Sequence, residues 1–534
     1  MQAYLKPARV VVSIIMLAGT GFLFLDFSGS APSAWFRYFT WLQFVPSIID
    51  FLNTLGRGLA VTAFGFAAVL LLTLLFGRVY CSYICPLGIL QDVISRISKK
   101  AKRKKSRFRF APPKTWLRYS ILILVCLSLF TGKLFLLNTL DPYSNFGRLM
   151  SDFLRPLYAA GNNLLTSLLQ AMGSYALYPV KVAVTDPYAL LVPALILTLV
   201  VWFSFRRGRL YCNAVCPLGT LLGLVSKISL FKIRFDKAGC TRCGKCMFVC
   251  KSQCIDVKQQ QIDFSRCVGC ADCLKACDNN SIRYTFASTE KAKIMQPDRS
   301  KRRFVMGSLL FIGALSGLSI KSIARNSKPK NSDPKTKGSG VNTGNEEVIK
   351  THSVCPPGSQ SIHHFTGACT ACHLCVSACP TGVLKPSFLE YGFFGMMQPY
   401  MDYHTSFCNY ECVRCTEICP NGAILPLTRE EKVLTQIGTV RFVRNNCIVH
   451  TDETSCGSCS EHCPTKAVRM VPYKGELTIP EVNVDICVGC GACEYACPVT
   501  PNKAIIVDGC KEHRQAQKPK EETLEEKPLE DFPF

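Results

Sequence analysis

The spacing of the cysteines is the feature that most restricts what this chain can fold into. The 534 residues include 32 cysteines, most of them in tight runs of three or four with two or three residues between neighbours. Cysteines so close in sequence are better placed to share a metal centre than to form separate disulfides, and disulfide scaffolds are usually much shorter chains. The pattern therefore predicts several iron–sulfur centres rather than a disulfide framework.

The most specific motif is a pair of runs with the spacing of bacterial two-cluster ferredoxins. Cys-x2-Cys-x2-Cys-x3-Cys occurs twice in succession. In such a pair, three close thiolates wrap one cubane and the fourth cysteine reaches the neighbouring cluster. Tetrahedral zinc is the alternative, but zinc sites rarely repeat this eight-cysteine pattern. The spacing predicts one cluster on Cys240, Cys243, Cys246 and Cys277, and a second on Cys267, Cys270, Cys273 and Cys250.

Four further runs follow in the C-terminal part, and each ends in Cys-Pro. They are Cys369, Cys372, Cys375 and Cys379; Cys408, Cys412, Cys415 and Cys419; Cys447, Cys456, Cys459 and Cys463; and Cys487, Cys490, Cys493 and Cys497. At four ligands per cubane, these thiolates suffice for four clusters. The first run also contains Cys-Thr-Ala-Cys-His, a c-type haem attachment motif. The ferredoxin spacing continues beyond it, which favours iron–sulfur over haem.

An internal repeat marks the N-terminal half. Residues 77–98 and 208–229 are identical at 12 of 22 positions, and each copy carries Cys-x-x-x-Cys-Pro. The cysteines are Cys81 and Cys85 in the first copy, and Cys212 and Cys216 in the second. Neither copy alone supplies the four thiolates of a cubane. They either pack as small apolar residues or bind iron, and the duplication favours one shared cluster over two separate sites.

Four apolar segments predict an α-helical membrane bundle. They cover about 10–25, 58–76, 119–140 and 187–205, each close to the roughly 20 residues that cross a bilayer core. Buried soluble helices are the alternative. We expect the four spans to form two parallel helix-pair repeats related by an axis near the membrane normal. The duplicated motif then follows each pair on the same face of the membrane.

The distribution of charge predicts the orientation of this bundle. Lys and Arg number 62 against 37 Asp and Glu, and they crowd residues 96–118 and the segment after 205. Residues 26–56 and 141–185 are poor in basic side chains. The positive-inside rule therefore places the N-terminus and the two-cluster module in the cytoplasm. Basic residues beside apolar runs indicate a membrane surface and lipid, not nucleic acid, as the partner.

Composition divides the chain into six segments. We expect a membrane domain over 1–230, an α+β two-cluster ferredoxin domain over 231–290, a fifth membrane or export segment over 300–323, a flexible linker over 324–350, a four-cluster ferredoxin domain over 351–510 and a charged, disordered tail over 511–534. The fifth apolar run follows Lys301-Arg302-Arg303, similar to a twin-arginine export signal with Lys for the first arginine. We expect export of the four-cluster domain; a surface helix that leaves it inside is the alternative.

The quoted motifs resemble two known families joined end to end. Residues 1–290 resemble the NapH and MauN membrane ferredoxins, and residues 300–510 resemble the NapG and MauM four-cluster ferredoxins. This resemblance implies a quinol dehydrogenase component that feeds an extracytoplasmic reductase. By analogy with four-cluster ferredoxin subunits, the outer runs should exchange their fourth cysteines, and so should the inner runs. Cys497 would then join the first run, Cys463 the second, Cys419 the third and Cys379 the fourth.

Three functions remain open. The first is a membrane-bound electron-transfer protein that passes electrons from the quinone pool, through six ferredoxin clusters and a seventh membrane-face [4Fe–4S] cluster, to an extracytoplasmic reductase or electron carrier. The second is a metal-reducing maturation factor similar to CcoG, which lacks the four extra clusters. The third is a pure relay subunit whose partner performs the quinol chemistry. The sequence has no dinucleotide fingerprint, P-loop or flavin-attachment threonine, so NAD and flavin are not expected.

Overall fold

The computed structural model describes residues 2–26, 31–54, 64–101, 108–180, 186–286 and 348–518. Nearly all of them belong to one folded unit, formed by Met1–Thr285 and Asn345–Phe534. A second unit, Phe286–Gly344, falls almost wholly outside these ranges. The predicted fifth apolar segment and export signal, most of the linker and the end of the tail lie outside the described residues.

The described part of the N-terminal half is helical. Its helices are α1 (Gln2–Leu25), α2 (Ser33–Trp41), α3 (Phe44–Thr54), α4 (Gly65–Phe76), α5 (Tyr80–Tyr83), α6 (Pro86–Ala101), α7 (Thr115–Phe130), α8 (Phe135–Leu140), α9 (Pro142–Arg148), α10 (Arg155–Ala171), α11 (Pro187–Arg207) and α12 (Pro217–Ser226). Two π-helical turns, Leu149–Leu154 and Tyr211–Val215, interrupt the series. π-Helical turns often occur at functional sites, and the second of them contains Cys212.

Two of the described helices are long and apolar enough to cross a membrane, and they lie over Tyr4–Leu25 and Pro187–Arg207. Helices α4 and α7 are apolar but shorter. The third predicted span, 119–140, is not a single helix: α7 ends at Phe130, Gly132 adopts a φ of +70°, and α8 begins at Phe135. The second predicted span is described only from Phe64 onwards.

The two Cys-Pro-Leu-Gly turns are built alike because the same residues start and pack the helix that follows. Helices α6 and α12 begin at Pro86 and Pro217, where proline's missing N–H forfeits no helical hydrogen bond. A Cβ added at Gly88 would lie 2.2 Å from the carbonyl oxygen of Cys81, and one at Gly219 would lie 2.1 Å from that of Cys212. Each Cys-Pro-Leu-Gly segment thus closes tightly against its own first cysteine.

The two repeats also exchange partners. Helix α4 of the first repeat packs against α12 of the second, and α11 of the second packs against α6 of the first. This reciprocal packing brings the two Cys-Pro turns to one place in the bundle.

The two-cluster domain is a small α+β fold. It consists of β1 (Phe231–Phe235), α13 (Lys245–Val249), β2 (Ile255–Asp256), β3 (Gln261–Ile262), α14 (Asp272–Lys275) and β4 (Ile282–Phe286). Strand β1 pairs with β4, and β2 pairs antiparallel with β3, with Ile255 opposite Ile262. Ile233, Ile255 and Ile282 form the buried core with the cysteines.

The C-terminal domain combines short helices with three two-stranded sheets. The helices are α15 (Ile362–Ala368), α16 (Leu374–Ala378), α17 (Arg414–Ile418), α18 (Arg429–Val433), α19 (Ile448–Thr451), α20 (Ser458–Glu461) and α21 (Ala492–Ala496). The strands are β5 (Leu384–Pro386), β6 (Pro399–Met401), β7 (Thr435–Phe442), β8 (Val468–Pro472), β9 (Thr478–Val482) and β10 (Ile505–Gln515). They pair as β5–β6, β7–β10 and β8–β9. Strand β10 enters the predicted disordered tail, because Arg514 and Gln515 pair with Gln436 and Thr435 of β7.

The two ferredoxin domains contact opposite ends of α1. Near its N-terminus, Lys6 pairs with Asp272 of the two-cluster domain at 2.9 Å. Near its C-terminus, Phe24 packs at Gly147, where an added Cβ would lie 2.2 Å from the carbonyl oxygen of Cys372. At 1.5 Å per residue, the helix is about 36 Å long. This length slightly exceeds the hydrocarbon core of a bilayer, which is about 30 Å.

Candidate iron–sulfur centres

Four of the six ferredoxin runs, all within the described ranges, share one backbone conformation. The residues on either side of the second cysteine have left-handed φ angles between +52° and +79°. These residues are Arg242 and Gly244, Gly269 and Ala271, Ala371 and His373, and Gly489 and Gly491. Such left-handed turns present successive backbone N–H groups and form the anion-binding concavities of many Fe–S sites. The loops therefore fit an anionic cluster.

In the two-cluster domain the thiols line two separate cavities. Cys240, Cys243, Cys246 and Cys277 line the first. Cys250, Cys254, Cys267, Cys270 and Cys273 line the second. The fourth cysteine of each run thus lies with the other run, and Cys254 is an addition that the spacing argument left without a role. Cys273 is close enough to Cys246 to interact with it electrostatically, so the two cavities are neighbours.

The four cysteines of the duplicated motifs form one group. Cys85 interacts electrostatically with Cys212, Cys81 and Cys216, and Cys216 interacts with Cys212 and Cys81. All four side chains are buried, with 2–4% of their surface exposed. Because four thiols suffice for one cubane, this arrangement supports one shared site over two separate ones.

Two buried arginines link this group across the repeats. Arg78 donates to the carbonyl oxygen of Cys212 at 3.1 Å, and Arg209 donates to that of Cys81 at 2.6 Å. Arg78 also approaches the Cys81 sulfur at 3.8 Å. Each guanidinium keeps a buried N–H without a partner in the described part of the chain. Buried donors of this kind need an explanation, and a group that carries thiolates and sulfides supplies acceptors.

A buried carboxylate holds these charges together. Asp92 accepts from Arg209 at 2.8 Å and from Arg9 at 3.0 Å, and Lys251 lies 3.3 Å away. Burial alone would raise the pKa of Asp92, but Arg209, Lys251 and Arg9 together hold it below its usual range. One ionised side chain therefore joins α1, the second Cys-Pro motif and the two-cluster domain. The sequence argument missed this network, although both repeats begin with Gly-Arg.

Adjacent runs pair in the C-terminal domain. Cys419 lies beside Cys369, Cys372 and Cys375; Cys379 beside Cys408 and Cys415; Cys497 beside Cys447 and Cys459; and Cys463 beside Cys487, Cys490 and Cys493. The predicted exchange between the outer runs and between the inner runs was wrong. Helix α16 packs against α17, and α20 packs against α21, so each adjacent pair of runs folds as its own two-cluster module.

Burial raises the pKa of several of these thiols above the usual value. Burial, with the nearby carboxylate of Asp272, raises the pKa of Cys270 to about 12. Burial also raises the pKa of Cys408 to about 12, against the opposing charge of Lys432. Metal binding to such sites releases protons and contributes directly to folding. The cysteine cavities are therefore expected to fill while the chain folds.

The seven cysteine groups, all within the described residues, form a continuous series. Ser82, between the Cys-Pro cysteines, donates to the carbonyl oxygen of Val268 in the two-cluster domain at 2.7 Å. In the C-terminal domain, the N–H of Cys408 donates to the carbonyl oxygen of Cys490 at 2.9 Å, which joins the two modules. These contacts place the Cys267 group beside the group of the duplicated motifs, and the Cys408 group beside the Cys487 group.

Two buried tyrosines lie between the cysteine group of the duplicated motifs and the first cysteine group of the C-terminal domain. Tyr211 interacts electrostatically with Cys216, Cys212 and Asp141, while Tyr143 interacts with Cys372 and Asp141. The two aromatic side chains thus reach from the cysteines of the duplicated motifs (the membrane-motif group) to the first C-terminal group. Both are almost fully buried.

A polar network fixes the C-terminal domain to the bundle. Nδ1 of His373 lies 2.9 Å from an Asp152 oxygen, and its Nε2 lies 2.8 Å from the carbonyl oxygen of Met397. Asn138 donates to the carbonyl oxygen of Cys369 at 3.1 Å, and Arg148 donates to that of Asn138 at 2.6 Å. Both ring nitrogens of His373 are engaged, unlike those of an axial haem ligand. In the sequence, the sign of this interface was the presence of charged residues within 141–185, a loop predicted to be extracytoplasmic.

Three family models match parts of the chain. A 4Fe-4S binding domain matches residues 59–105 and 189–236, which contain the two Cys-Pro motifs. Two 4Fe-4S dicluster domains match residues 368–424 and 454–500. The first dicluster match covers the first two C-terminal runs, and the second covers the last two except Cys447, in agreement with the pairing in the structure.

Comparison with curated proteins gives more specific relatives. The ferredoxin-type protein NapG of Escherichia coli (strain K12) is 30% identical over 155 residues, 27% of this chain and 64% of NapG. The methylamine utilization ferredoxin-type protein MauM of Methylophilus methylotrophus is 33% identical over 150 residues, 27% of this chain and 65% of MauM. Part of the chain is thus similar to the ferredoxin-type proteins NapG and MauM.

A further relative covers more of the chain. The putative electron transport protein YccM of Escherichia coli (strain K12) is 27% identical over 257 residues, 47% of this chain and 61% of YccM. The chain thus spans less than two thirds of each of these three relatives. No solved structure matches. With its 4Fe-4S domains, the chain is an iron–sulfur electron-transfer protein.

Proposed function

We propose that this chain is a membrane-bound relay that carries electrons from quinol, through seven [4Fe–4S] clusters, to an extracytoplasmic reductase or electron carrier. The N-terminal 290 residues act as a membrane ferredoxin of the NapH type, fused to the NapG/MauM-type ferredoxin. When bound, each cluster supplies a one-electron carrier. The protein places these carriers in sequence and shields them from water.

The ordered series of cysteine groups is the observation that carries this proposal. It begins with the Cys240 group and continues through the Cys267 group to the shared membrane-motif group. It then passes through the Cys369 and Cys408 groups to the Cys487 group and ends at the Cys447 group. A storage or maturation protein needs no such linear order. A relay does, because electron transfer falls steeply with distance.

The contacts of α1 support a relay that crosses the membrane. The two-cluster domain meets the N-terminal end of this helix, and the four-cluster domain meets the C-terminal end. Asn53 also donates to the carbonyl oxygen of Asn421, and Arg414 donates to that of Ala31. Ala31 and Asn53 lie in the segment that the charge pattern places outside. Export of the four-cluster domain explains these contacts better than the all-cytoplasmic alternative.

One observation favours the pure relay as a second candidate. Among the described residues, one cavity inside the bundle, lined by Leu87, Asn145, Arg148 and Ile196, has room for about one water molecule. A quinol ring needs far more space. In this second candidate a partner subunit oxidises quinol and passes single electrons to the chain.

A quinol titration separates the two candidates. Purified full-length protein, with all clusters oxidised, is mixed anaerobically with a short-chain menaquinol, and cluster reduction is followed by electron paramagnetic resonance. The leading proposal predicts reduction of clusters on both sides of the bundle without any partner. No reduction by quinol, together with full reduction by dithionite, would leave only the pure relay.

The Cys212→Ser variant tests the path. The substitution removes one thiol of the shared group and leaves all ferredoxin cysteines in place. If quinol electrons enter at the cytoplasmic face, the two-cluster signals should appear as in the wild type and the four-cluster signals should not. Normal reduction of the four-cluster domain in this variant would show that electrons bypass the membrane motifs.

A further inference from the structure

A fifth cysteine shares the second cavity of the two-cluster domain. The cavity holds the four predicted ligands and also Cys254. Cys254 is 2% exposed, and its sulfur lies 3.6 Å from that of Cys250. This separation is far longer than the roughly 2.05 Å of a disulfide bond, so the two sulfurs are in van der Waals contact as separate thiols.

The position of Cys254 differs from that of an ordinary packing cysteine. Its thiol also shares the cavity with Cys267 and interacts with it electrostatically. Cys254 therefore contacts Cys250 of the first run and lies near Cys267 of the second. The neighbouring Ile255 begins strand β2, which pairs with β3 and fixes the backbone at this point. The thiol is held at the cavity by secondary structure, not by a mobile loop.

The first cavity provides an internal comparison. It is lined by Cys240, Cys243, Cys246 and Cys277, with no additional cysteine among the described lining residues. The two cavities belong to one domain and one fold, so the extra thiol is specific to the second. That second cavity lies next to the membrane motifs, through the contact between Ser82 and Val268. Loss of the cluster in the second cavity would therefore separate the cluster in the first cavity from the bundle.

We propose that Cys254 is a reserve ligand of the second ferredoxin cluster and replaces Cys250 when that thiolate is lost. In the exchange, Cys250 leaves its iron and takes up one proton, while Cys254 releases one proton and bonds to the same iron. The charge and the oxidation state of the site are unchanged, so no oxidant or reductant is needed. Because the sulfurs of Cys250 and Cys254 are in contact, the iron atom at this corner of the cubane can bond to either sulfur but not to both.

The test compares iron and acid-labile sulfide in four full-length variants. With seven clusters, the wild type should hold about 28 iron atoms per chain. Cys250→Ala should keep the wild-type count, because Cys254 completes the site. Cys277→Ala is the matched control and should lose iron, because its cavity has no spare thiol. The double variant Cys250→Ala, Cys254→Ala should lose iron as the control does, whereas Cys254→Ala alone should keep it.

Electron paramagnetic resonance provides the second readout. A site left with three thiols loses one iron or the whole cluster, and a three-iron signal reports the first outcome. Iron loss in Cys250→Ala equal to that in Cys277→Ala would overturn the proposal. Iron loss in Cys254→Ala alone would also overturn it, since Cys254 would then be the resident ligand.

A kinetic measurement keeps the proposal testable if Cys250→Ala does not fold. Wild type and Cys254→Ala, both fully loaded, are exposed to an iron chelator under air, and the decay of the second cluster's signal is timed. A reserve thiol recaptures the site after transient loss of Cys250, so the signal should decay severalfold faster in Cys254→Ala. Equal decay rates in the two proteins would contradict a reserve role.

Discussion

The carboxylate of Asp92 offers a direct test of how the duplicated motifs are joined to the two-cluster domain. It is 5% exposed and contacts three cations, from α1, the second Cys-Pro motif and the two-cluster domain. Asp92→Asn keeps the size of the side chain but removes its charge. Lys251 retains Asp272 at 3.2 Å, so the substitution leaves chiefly Arg9 and Arg209 without a carboxylate. Removal of one partner from a buried ion pair costs about 3–5 kcal/mol.

The expected result is a loss of roughly that size in the free energy of unfolding, measured by anaerobic urea denaturation in detergent with far-UV circular dichroism. Asp278→Asn is the matched control, because Asp278 pairs with Lys245 on the surface, where the two side chains are 68% and 58% exposed. Surface pairs contribute about 0–1 kcal/mol. An Asp92→Asn variant no less stable than the control would refute the structural role of this network.

The pH dependence follows from the lowered pKa of Asp92. Burial opposes ionisation, but Arg209 and Lys251 more than compensate and hold the pKa below its usual range. The stabilisation from a depressed carboxyl pKa is fully present above the unfolded-state value, about 4, and is lost as the pH falls towards the folded-state value. The difference between wild type and Asp92→Asn should therefore be the same at about pH 6 and about pH 8.

Three further predictions concern the cysteine sites. Gly88→Ala should abolish the membrane-motif cluster, because the new Cβ would lie 2.2 Å from the Cys81 carbonyl oxygen. Gly161→Ala is the control and should retain the cluster signal, because the space around Gly161 is open. Equal signals in the two variants would contradict the packing argument. Cys419→Ser should remove the same paramagnetic signal as Cys369→Ser, and loss of two different signals would contradict adjacent pairing. Iron and sulfide should approach about 28 per chain, and substantial zinc would contradict the cluster assignment.

Local spacing predicted the cysteine groups of the two-cluster domain because both runs are short and contiguous. The same argument failed for the C-terminal domain, where the pairing was taken from an analogy and not from the residues. The structure pairs adjacent runs because α16 packs against α17 and α20 against α21. This choice depends on tertiary contacts that cysteine spacing does not encode.

The duplicated motifs show what repetition can and cannot reveal. Repetition predicted that the four cysteines share one site, and the structure places them in one buried group. The exchange of carbonyl contacts by Arg78 and Arg209 was not foreseen, because a single arginine after a glycine resembles an ordinary interfacial charge. Its role depends on the reciprocal packing of α4 with α12 and of α6 with α11.

Hydropathy located the apolar segments but not their breaks. The run over 119–140 is mostly apolar, yet Gly132 adopts a left-handed conformation and the helix stops at Phe130. The buried Asp152–His373 contact was equally invisible, since the two residues are far apart in sequence and come from different domains. Long-range polar contacts of this kind follow from the fold, not from local composition.

Electron passage across a sealed bilayer tests the central claim most directly. The full-length protein is reconstituted into liposomes that enclose dithionite, with ferricyanide outside, and the orientation is established by protease digestion. A relay across the bundle predicts steady loss of ferricyanide absorbance with the wild type and a fall to the protein-free rate with Cys212→Ser. Equal rates for the two proteins, or a wild-type rate no higher than that of empty liposomes, would contradict a transmembrane chain of clusters.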